Sequence, residues 1–441
     1  MFSPVAFPAS RGLTSRMKES SAAMMLLDRA MTQFVRSGRL RITDADGVAR
    51  DYGGGDGPKV SIRLTDRRLH KALVFTPELS TGEAYVDGTL ILEEGTLRDL
   101  LMLYEINKRH FPKSRLHENL KSMRKKLRRV FKRNTLANSV RNVAHHYDIS
   151  NELYSLFLDS DLNYSCAYFG DSADTLEVAQ RNKLRHIAAK LDLKPGQRVL
   201  DIGCGWGSMA MYLAEAADVE VTGITLSVEQ HALATRRAAE RGLSAKVKFE
   251  LMDYRNMTCS FDRIVSVGMF EHVGANHFEE YFAKIGELLA SDGVALVHSI
   301  GRRSGPGSTA PWLEKYIFPG GYSPSLSEMT AAVESTKLWI TDVEVWRLHY
   351  ADTLKEWERR FQSNRARIAA LLDERFCRMW EFYLVTSEHS FRQRKSVVFQ
   401  VQVAKALDTL SVTRDYMAEA EQALPHHLRY DAAASSAHNT I

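Results

Sequence analysis

Glu271 and His272 stand side by side in VGMFEHVG, Val267 to Gly274, an otherwise apolar run. A carboxylate taken out of water without a partner costs several kcal/mol, so something must compensate it. Four chemistries fit the pair: a metal site, a general acid or base, a satisfied core residue, or a seat for a bound ligand. A metal site needs several converging Cys, His, Asp or Glu ligands. The sequence has neither an HExxH pattern nor paired cysteines, which makes metal the weakest of the four. A second constellation lies upstream, in VLDIGCGWG. Gly203, Gly205 and Gly207 follow a short apolar run there, with Asp201 just before the loop and Cys204 inside it. Where a parallel strand turns into a helix, such a loop lets backbone approach a ligand.

GxGxG alone is a weak signal, because dinucleotide-binding folds carry relatives of it. Two details favour S-adenosylmethionine over a nicotinamide. Asp201 can accept from the ligand's ammonium, directly or through water. The loop also lacks the last glycine of GxGxxG, which supports pyrophosphate at a helix N-terminus. Ribose hydroxyls are commonly held by an acid at the end of the second strand. Here that strand ends Gly223-Ile224-Thr225, and no carboxylate follows until Glu229. Thr225 and Gln230 can make those bonds as neutral groups. Adenine then meets Asp253 and Tyr254 after the third strand, one accepting from its amine and the other offering ring surface.

These positions need a scaffold, and from about Asn142 the pattern supplies one. Arg198 to Ile202 predicts a strand, Ser208 to Ala217 a helix, VEVTGITLS a second strand and VEQHALATRRAAERG a second helix. KVKFELMDY, FDRIVSVGMFE and GVALVHSIG predict three more strands, with a helix near Phe278 to Leu289 between the last two. LWITDVEVW and SVVFQVQVA form a late strand pair. Alternation of this kind specifies an α/β fold, a doubly wound and largely parallel sheet. Residues 17 to about 105 read as a smaller α+β module: a helix from Ser20 to Val35, short strands such as SIRLTD and ALVFTPE, a flexible GGGDG connection, and a closing helix in TLRDLLMLYEIN.

Apolar residues make up 44% and charged residues 26% of the 441, a soluble globular composition, and the length implies two domains or one with an appendage. No window offers the roughly 18 uninterrupted apolar residues of a membrane span. The N-terminus lacks the apolar core of a signal peptide. Cys166, Cys204, Cys259 and Cys377 are widely spaced, which fits a reducing cytoplasm better than a disulfide framework. Net charge is only +5, but Lys108 to Arg133 is densely basic, with Glu118 its only acid. Leu116, Leu120, Met123, Leu127, Val130 and Phe131 recur through it at helical spacing. Such a helix suits an anionic membrane, a solvated linker or a nucleic-acid arm.

YSCAYFG, LKPGQRVLDIGCGWG, GITLSVEQ, FDRIVSVGMFEHVG, LVHSIG and KYIFPGGYSPS, in that order, resemble the cyclopropane-fatty-acyl-phospholipid synthases. The resemblance is strong over about His145 to Gln402, and TGEAYVDGTL is similar to the N-terminal module of the long bacterial members. It implies a Rossmann-like class I methyltransferase sheet, with S-adenosylmethionine as methyl donor to the double bond of an unsaturated phospholipid. A base then removes a proton so that a cyclopropane ring closes, and similar enzymes use bound bicarbonate as that base. By resemblance its holders are Cys166 and Ile300 through their amides, His298, Tyr350, and Glu271 as the acceptor that orients it. Tyr164 and Ser165 resemble the family's cofactor contacts. Glu271 thus becomes a ligand-holder paired with His298, while His272 packs or caps. Many members carry a cysteine where this chain has Ser387. Related enzymes make methyl-branched lipids, or methylate amines, on the same scaffold.

The resemblance also moves the basic helix towards anionic membrane and away from nucleic acid. It implies a cytoplasmic enzyme bound peripherally to the inner membrane face, with a homodimer suggested by the N-terminal module. The expected organisation is a tail (1–16), an accessory module (17–107), a basic linker helix (108–141), and a catalytic domain (142–428). A lid occupies 301–325 of that domain, and a disordered tail (429–441) follows it.

Overall fold

The computed structural model describes residues 11–111, 151–393 and 396–425, with side chains from residue 22 onward. Most of the expected linker helix and the C-terminal tail therefore lie outside the described residues. The chain divides into two compact units. One holds the described residues up to 111 together with Ala310–Trp312 and Ala366–His389; the other holds the remainder. Residues 366–389 thus group with the N-terminal segment, whereas the sequence division placed them in 142–428.

The smaller unit opens with a helix, Arg11–Phe34, which begins ahead of the expected start at residue 17. Its sheet comprises β1 (Gly38–Thr43), β2 (Ala49–Gly54), β3 (Lys59–Leu64) and β4 (Leu90–Glu94), in the order β2-β1-β3-β4. Along β1, buried Leu40 and Ile42 alternate with exposed Arg39 and Arg41, the period of a strand with one wet face. Both arginines reach Asp51 on the neighbouring strand. ALVFTPE, expected as a strand, is helical instead: one helix spans Leu69–Phe75 and Pro77 opens the next, Pro77–Val86. Leu69 and Leu73, one turn apart, bury the same face, and proline suits a first helical turn, whose N–H is unbonded anyway. The helix Leu97–Asn107 starts at a reciprocal cap between Thr96 and Asp99.

The larger unit is built on seven strands in the order β10-β11-β9-β8-β5-β6-β7. They are β5 (Arg198–Ile202), β6 (Glu220–Thr225), β7 (Val247–Leu251), β8 (Phe261–Val267), β9 (Leu289–Arg302), β10 (Trp339–Trp346) and β11 (Ser396–Ala404). β5 to β9 run parallel to their neighbours among themselves, and β11 lies antiparallel between β9 and β10. From Val199 to Ile202 β5 is buried on both faces, as a central parallel strand must be. One face packs on Phe270, Tyr281, Phe282 and Ile285, the other on Leu184, Ile187, Met211 and Leu213. The chain passes from β5 to β6 and β7 on one side, then returns to β8 on the other. A ligand crevice opens at the carboxyl ends of the strands where the order reverses in this way.

Candidate active site

A cavity of about 170 Å³ lies at that reversal. Tyr164, Ser165, Asp201, Gly203, Cys204, Gly205, Thr225, Gln230, Asp253 and Tyr254 all line it, so distant parts of the sequence converge there. Gly207 is not among the lining residues. A Cβ on it would stand 2.5 Å from the Phe249 ring, and its φ is +85°, so the third glycine lets the following helix approach β7. At Gly205 an added Cβ would meet nothing within 4 Å, leaving room for a ligand at the loop.

Asp201 is 2% exposed, and one of its carboxylate oxygens is buried without a partner. Burial pushes its pKa up to about 7, against the pull of the Lys183 ammonium. Such an orphaned acceptor fits the ammonium of an amino-acid ligand. Thr225 Oγ1 donates to Gln230 Oε1 at 2.9 Å, which leaves the Gln230 amide group available to a ribose. Asp253 is more committed than its sequence position suggested: Arg255 clamps both oxygens at 2.8 and 2.7 Å. The donor set as a whole fits S-adenosylmethionine.

Lys183 was not singled out in the sequence. It lines the cavity, is 2% exposed, and donates to Asn163 Oδ1 at 2.9 Å and Ser165 Oγ at 3.0 Å. Burial lowers it to about 8, opposed by Asp159, Cys166 and Asp201. A signal existed: Lys183 and Lys190 flank Ile187 on the buried stripe of the helix Leu176–Lys190. A lysine at an apolar position of a periodic helix is costly unless it serves a site.

Glu271 follows β8 in a tight helical turn, Phe270–His272. Its Oε1 accepts from the Ile300 amide, while Oε2 is buried without a hydrogen bond. The Ser299 hydroxyl is near enough to lower the acid but donates to Ile300 O. Burial dominates and pushes Glu271 up to about 7. The Ile300 N–H, expected to face a bound anion, is therefore turned to orienting Glu271. His298 lies two residues earlier on β9, so it shares a sheet face with Ile300. It is 2% exposed, its ring meets Trp346 edge-on at 5.0 Å, and burial lowers it to about 3, so it is neutral.

Cys166 and Tyr350 come together through their neighbours. The Ala167 amide donates to Thr353 Oγ1 at 3.0 Å and the Phe169 amide to His349 Nδ1 at 3.2 Å, joining the 166–169 segment to the helix His349–Ser363. Burial pushes the Cys166 thiol well above its ordinary range, which leaves it unsuited to act as a thiolate. Tyr164 stacks on Trp357 at 5.1 Å, and the Tyr350 ring stands edge-on to the same indole at 5.8 Å. His272, expected to pack or cap, lines the cavity and is held neutral by burial, down to about 4. In the segment expected as a lid, Pro319 and Gly320 line the cavity, and the Tyr322 amide donates to Glu271 O at 2.9 Å.

The family described as mycolic acid cyclopropane synthetase matches residues 134–401. A cyclopropane-fatty-acyl-phospholipid synthase of Escherichia coli is 37% identical over 80% of this chain and 90% of its own. A tuberculostearic acid methyltransferase of Mycobacterium tuberculosis is 34% identical over 86% of this chain and 91% of its own. A cyclopropane synthase from M. tuberculosis superposes with a TM-score of 0.58 at 32% identity, over 60% of this chain and 98% of that one. A mycolic acid cyclopropane synthase complexed with SAH and CTAB gives 0.57 at 33%, with the same coverage. A coclaurine N-methyltransferase, at 21% identity and TM-score 0.60 over 73% of this chain and 98% of that one, shares the class I methyltransferase fold. With the glycine loop, the orphaned Asp201 and these matches in agreement, the chain belongs to the mycolic acid cyclopropane synthetase family and is an S-adenosylmethionine-dependent methyltransferase.

Proposed function

We propose that this enzyme methylates the double bond of an unsaturated phospholipid acyl chain and closes a cyclopropane ring, with bicarbonate as the base. Bound S-adenosylmethionine supplies an electrophilic methyl group. Asp201 receives its ammonium, and Gln230 and Thr225 its ribose. The observation that carries the ring-closing half is Glu271: one oxygen is anchored by Ile300 N–H and the other is buried and open. That second oxygen suits the hydroxyl of a bicarbonate, whose remaining oxygens would take bonds from His298, the Tyr350 hydroxyl and the Cys166 amide. A neutral His298 donates without adding charge beside a cationic cofactor. Tyr164 lines the cavity and offers ring surface near a developing cation, backed by Trp357, on which it stacks.

A methyl-branched product is the second reading, favoured by the similarity to the tuberculostearic acid methyltransferase. Mass spectrometry of fatty acids released after incubation with S-adenosylmethionine and monounsaturated phospholipid vesicles separates the two. A gain of one CH₂ with a ring supports cyclopropanation; an acyclic methylated chain overturns it. Loss of turnover in bicarbonate-free buffer, restored by adding bicarbonate, supports the base.

We also assign residues 17–107 an accessory role, 142–428 the chemistry, 301–325 a lid, and 108–141 the docking of a cytoplasmic, homodimeric enzyme onto anionic phospholipid at the inner membrane face. Nucleic acid is not a partner in this reading. Among the described residues no helix is long and apolar enough to cross a membrane, and the docking segment is strongly basic. Neutralising Arg124, Lys125, Lys126, Arg128 and Arg129 is expected to weaken binding to anionic vesicles, by up to roughly 1 kcal/mol per charge at low salt. Equal vesicle binding by variant and parent returns the segment to a linker.

A further inference from the structure

Lys190, the second lysine on the buried stripe, leads away from the cavity into the sheet. Its Nζ donates to Gln400 Oε1 at 2.6 Å, and the Gln400 amide nitrogen lies 3.1 Å from His298 Nδ1. β11 and β9 pair Gln400 directly with His298, so the contact is built into the strand register. All three residues are at most 3% exposed. An ammonium has donors only, so the Gln400 atom facing Lys190 must be its carbonyl oxygen. The atom facing His298 is then the NH₂, which can only donate. Nδ1 must accept, and the single hydrogen of the neutral ring sits on Nε2. Polarity passes from lysine through amide to imidazole with no freedom at either step. Behind Lys190, Glu344 accepts from it and bonds His186 Nε2 at 2.9 Å, while His186 Nδ1 meets Glu421 at 2.9 Å.

We propose that Gln400 and Lys190 are positioning residues that hold His298 as the tautomer carrying its hydrogen on Nε2, the donor the reaction requires. The proposal rests on the reading of His298 as a donor to a bound anion. The other tautomer would present a lone pair to that anion and two opposed hydrogens to Gln400. An imidazolium would lose the Gln400 bond. Burial disfavours it, and so do the charges of Lys183, Lys190 and His186; Glu344 acts the other way.

The test is made on the full-length protein with isotope-labelled histidine, by long-range nitrogen–proton correlation at neutral pH. His298 is assigned by the signal that His298→Gln removes. The parent ring is expected to show a protonated Nε2 and a bare Nδ1. Gln400→Glu puts an acceptor opposite Nδ1. The hydrogen should move there, S-adenosylmethionine binding should persist in calorimetry, and kcat should fall on the order of 100-fold. Lys190→Met frees the amide to turn. Mixed tautomers and a kcat loss on the order of 10-fold are expected, both restored by Lys190→Arg. A parent ring protonated on Nδ1 overturns the proposal, as does parent-like kcat in Gln400→Glu. If Gln400→Glu does not fold, the parent spectrum and the Lys190 pair decide. A parent that holds the Nε2–H tautomer but forms no lipid product would sink the functional reading and leave the tautomer assignment standing.

Discussion

The loop after β5 takes its shape largely from its own glycines and one neighbouring strand, while Glu271, at the next strand end, is placed by residues far along the chain. Gly203 and Gly205 adopt positive φ, the Gly203 and Cys204 amides donate to Ile224 O at 3.0 Å, and the helix that follows begins at Ser208. Glu271 is held by Ile300 of β9, and its carbonyl accepts from Tyr322, far along the chain. The cofactor seat thus joins a glycine-rich backbone loop to one buried carboxylate, Asp201. The acid seat is a buried carboxyl whose charge state and orientation are set by distant partners. The first is set mostly by neighbours in the chain, the second by partners brought in from other strands.

The largest expected effect attacks the second kind of site. In Glu271→Gln one of the two oxygens becomes a donor, so either Ile300 N–H or the proposed bicarbonate loses its acceptor. Turnover should drop on the order of 100-fold or more while S-adenosylmethionine binding survives. Unchanged turnover would take Glu271 out of the mechanism and dissolve the contrast. Next comes the charged element of the first site. Asp201→Asn should weaken S-adenosylmethionine by about 1.5–3 kcal/mol, the range for a hydrogen bond to a charged group.

The pH dependence sharpens that expectation. Free Asp201 keeps its proton up to about pH 7, so below that a cationic ligand must expel the proton to bind. Parent affinity should weaken by roughly tenfold per unit as pH falls below 7, and Asp201→Asn should flatten the profile. A flat parent profile in calorimetry would remove the carboxylate from ammonium recognition.

The smallest expected effect separates two glycines of one loop. Gly207→Ala drives a methyl into Phe249, which should add about 1–3 kcal/mol of overpacking to the strain of its own positive φ, seen as a lower melting temperature. Gly205→Ala meets open space, so it should cost only about 1–2 kcal/mol, from its positive φ, yet weaken cofactor binding more. If Gly207→Ala lowered affinity without lowering stability, the division between a ligand glycine and a packing glycine would fail.

Much of this was legible beforehand because it is local. Arg198–Ile202 and Ser208–Ala217 have the bounds their apolar periodicity predicts, and the strand–glycine–helix order places Asp201 at a crevice. ALVFTPE misled because aromatic and β-branched residues in a short run do not distinguish a strand from a buried helical face. Asp253 lines the cavity, but nothing in its position announces that Arg255, two residues on, clamps its carboxylate.

The sequence by itself determined the alternation of strands and helices, the glycine loop, the family and the set of polar residues available to a site. These follow from backbone preferences and short spacings, which act between neighbours in the chain. Only the tertiary structure decided which polar atoms meet: that Ile300 holds Glu271, that Lys183 bonds Asn163 and Ser165, and that Lys190 reaches His298 through Gln400. Those contacts depend on strand register and burial. Burial is also what moves Asp201 and Glu271 up to about 7 and His298 down to about 3, because desolvation acts on a group only once the chain has closed around it.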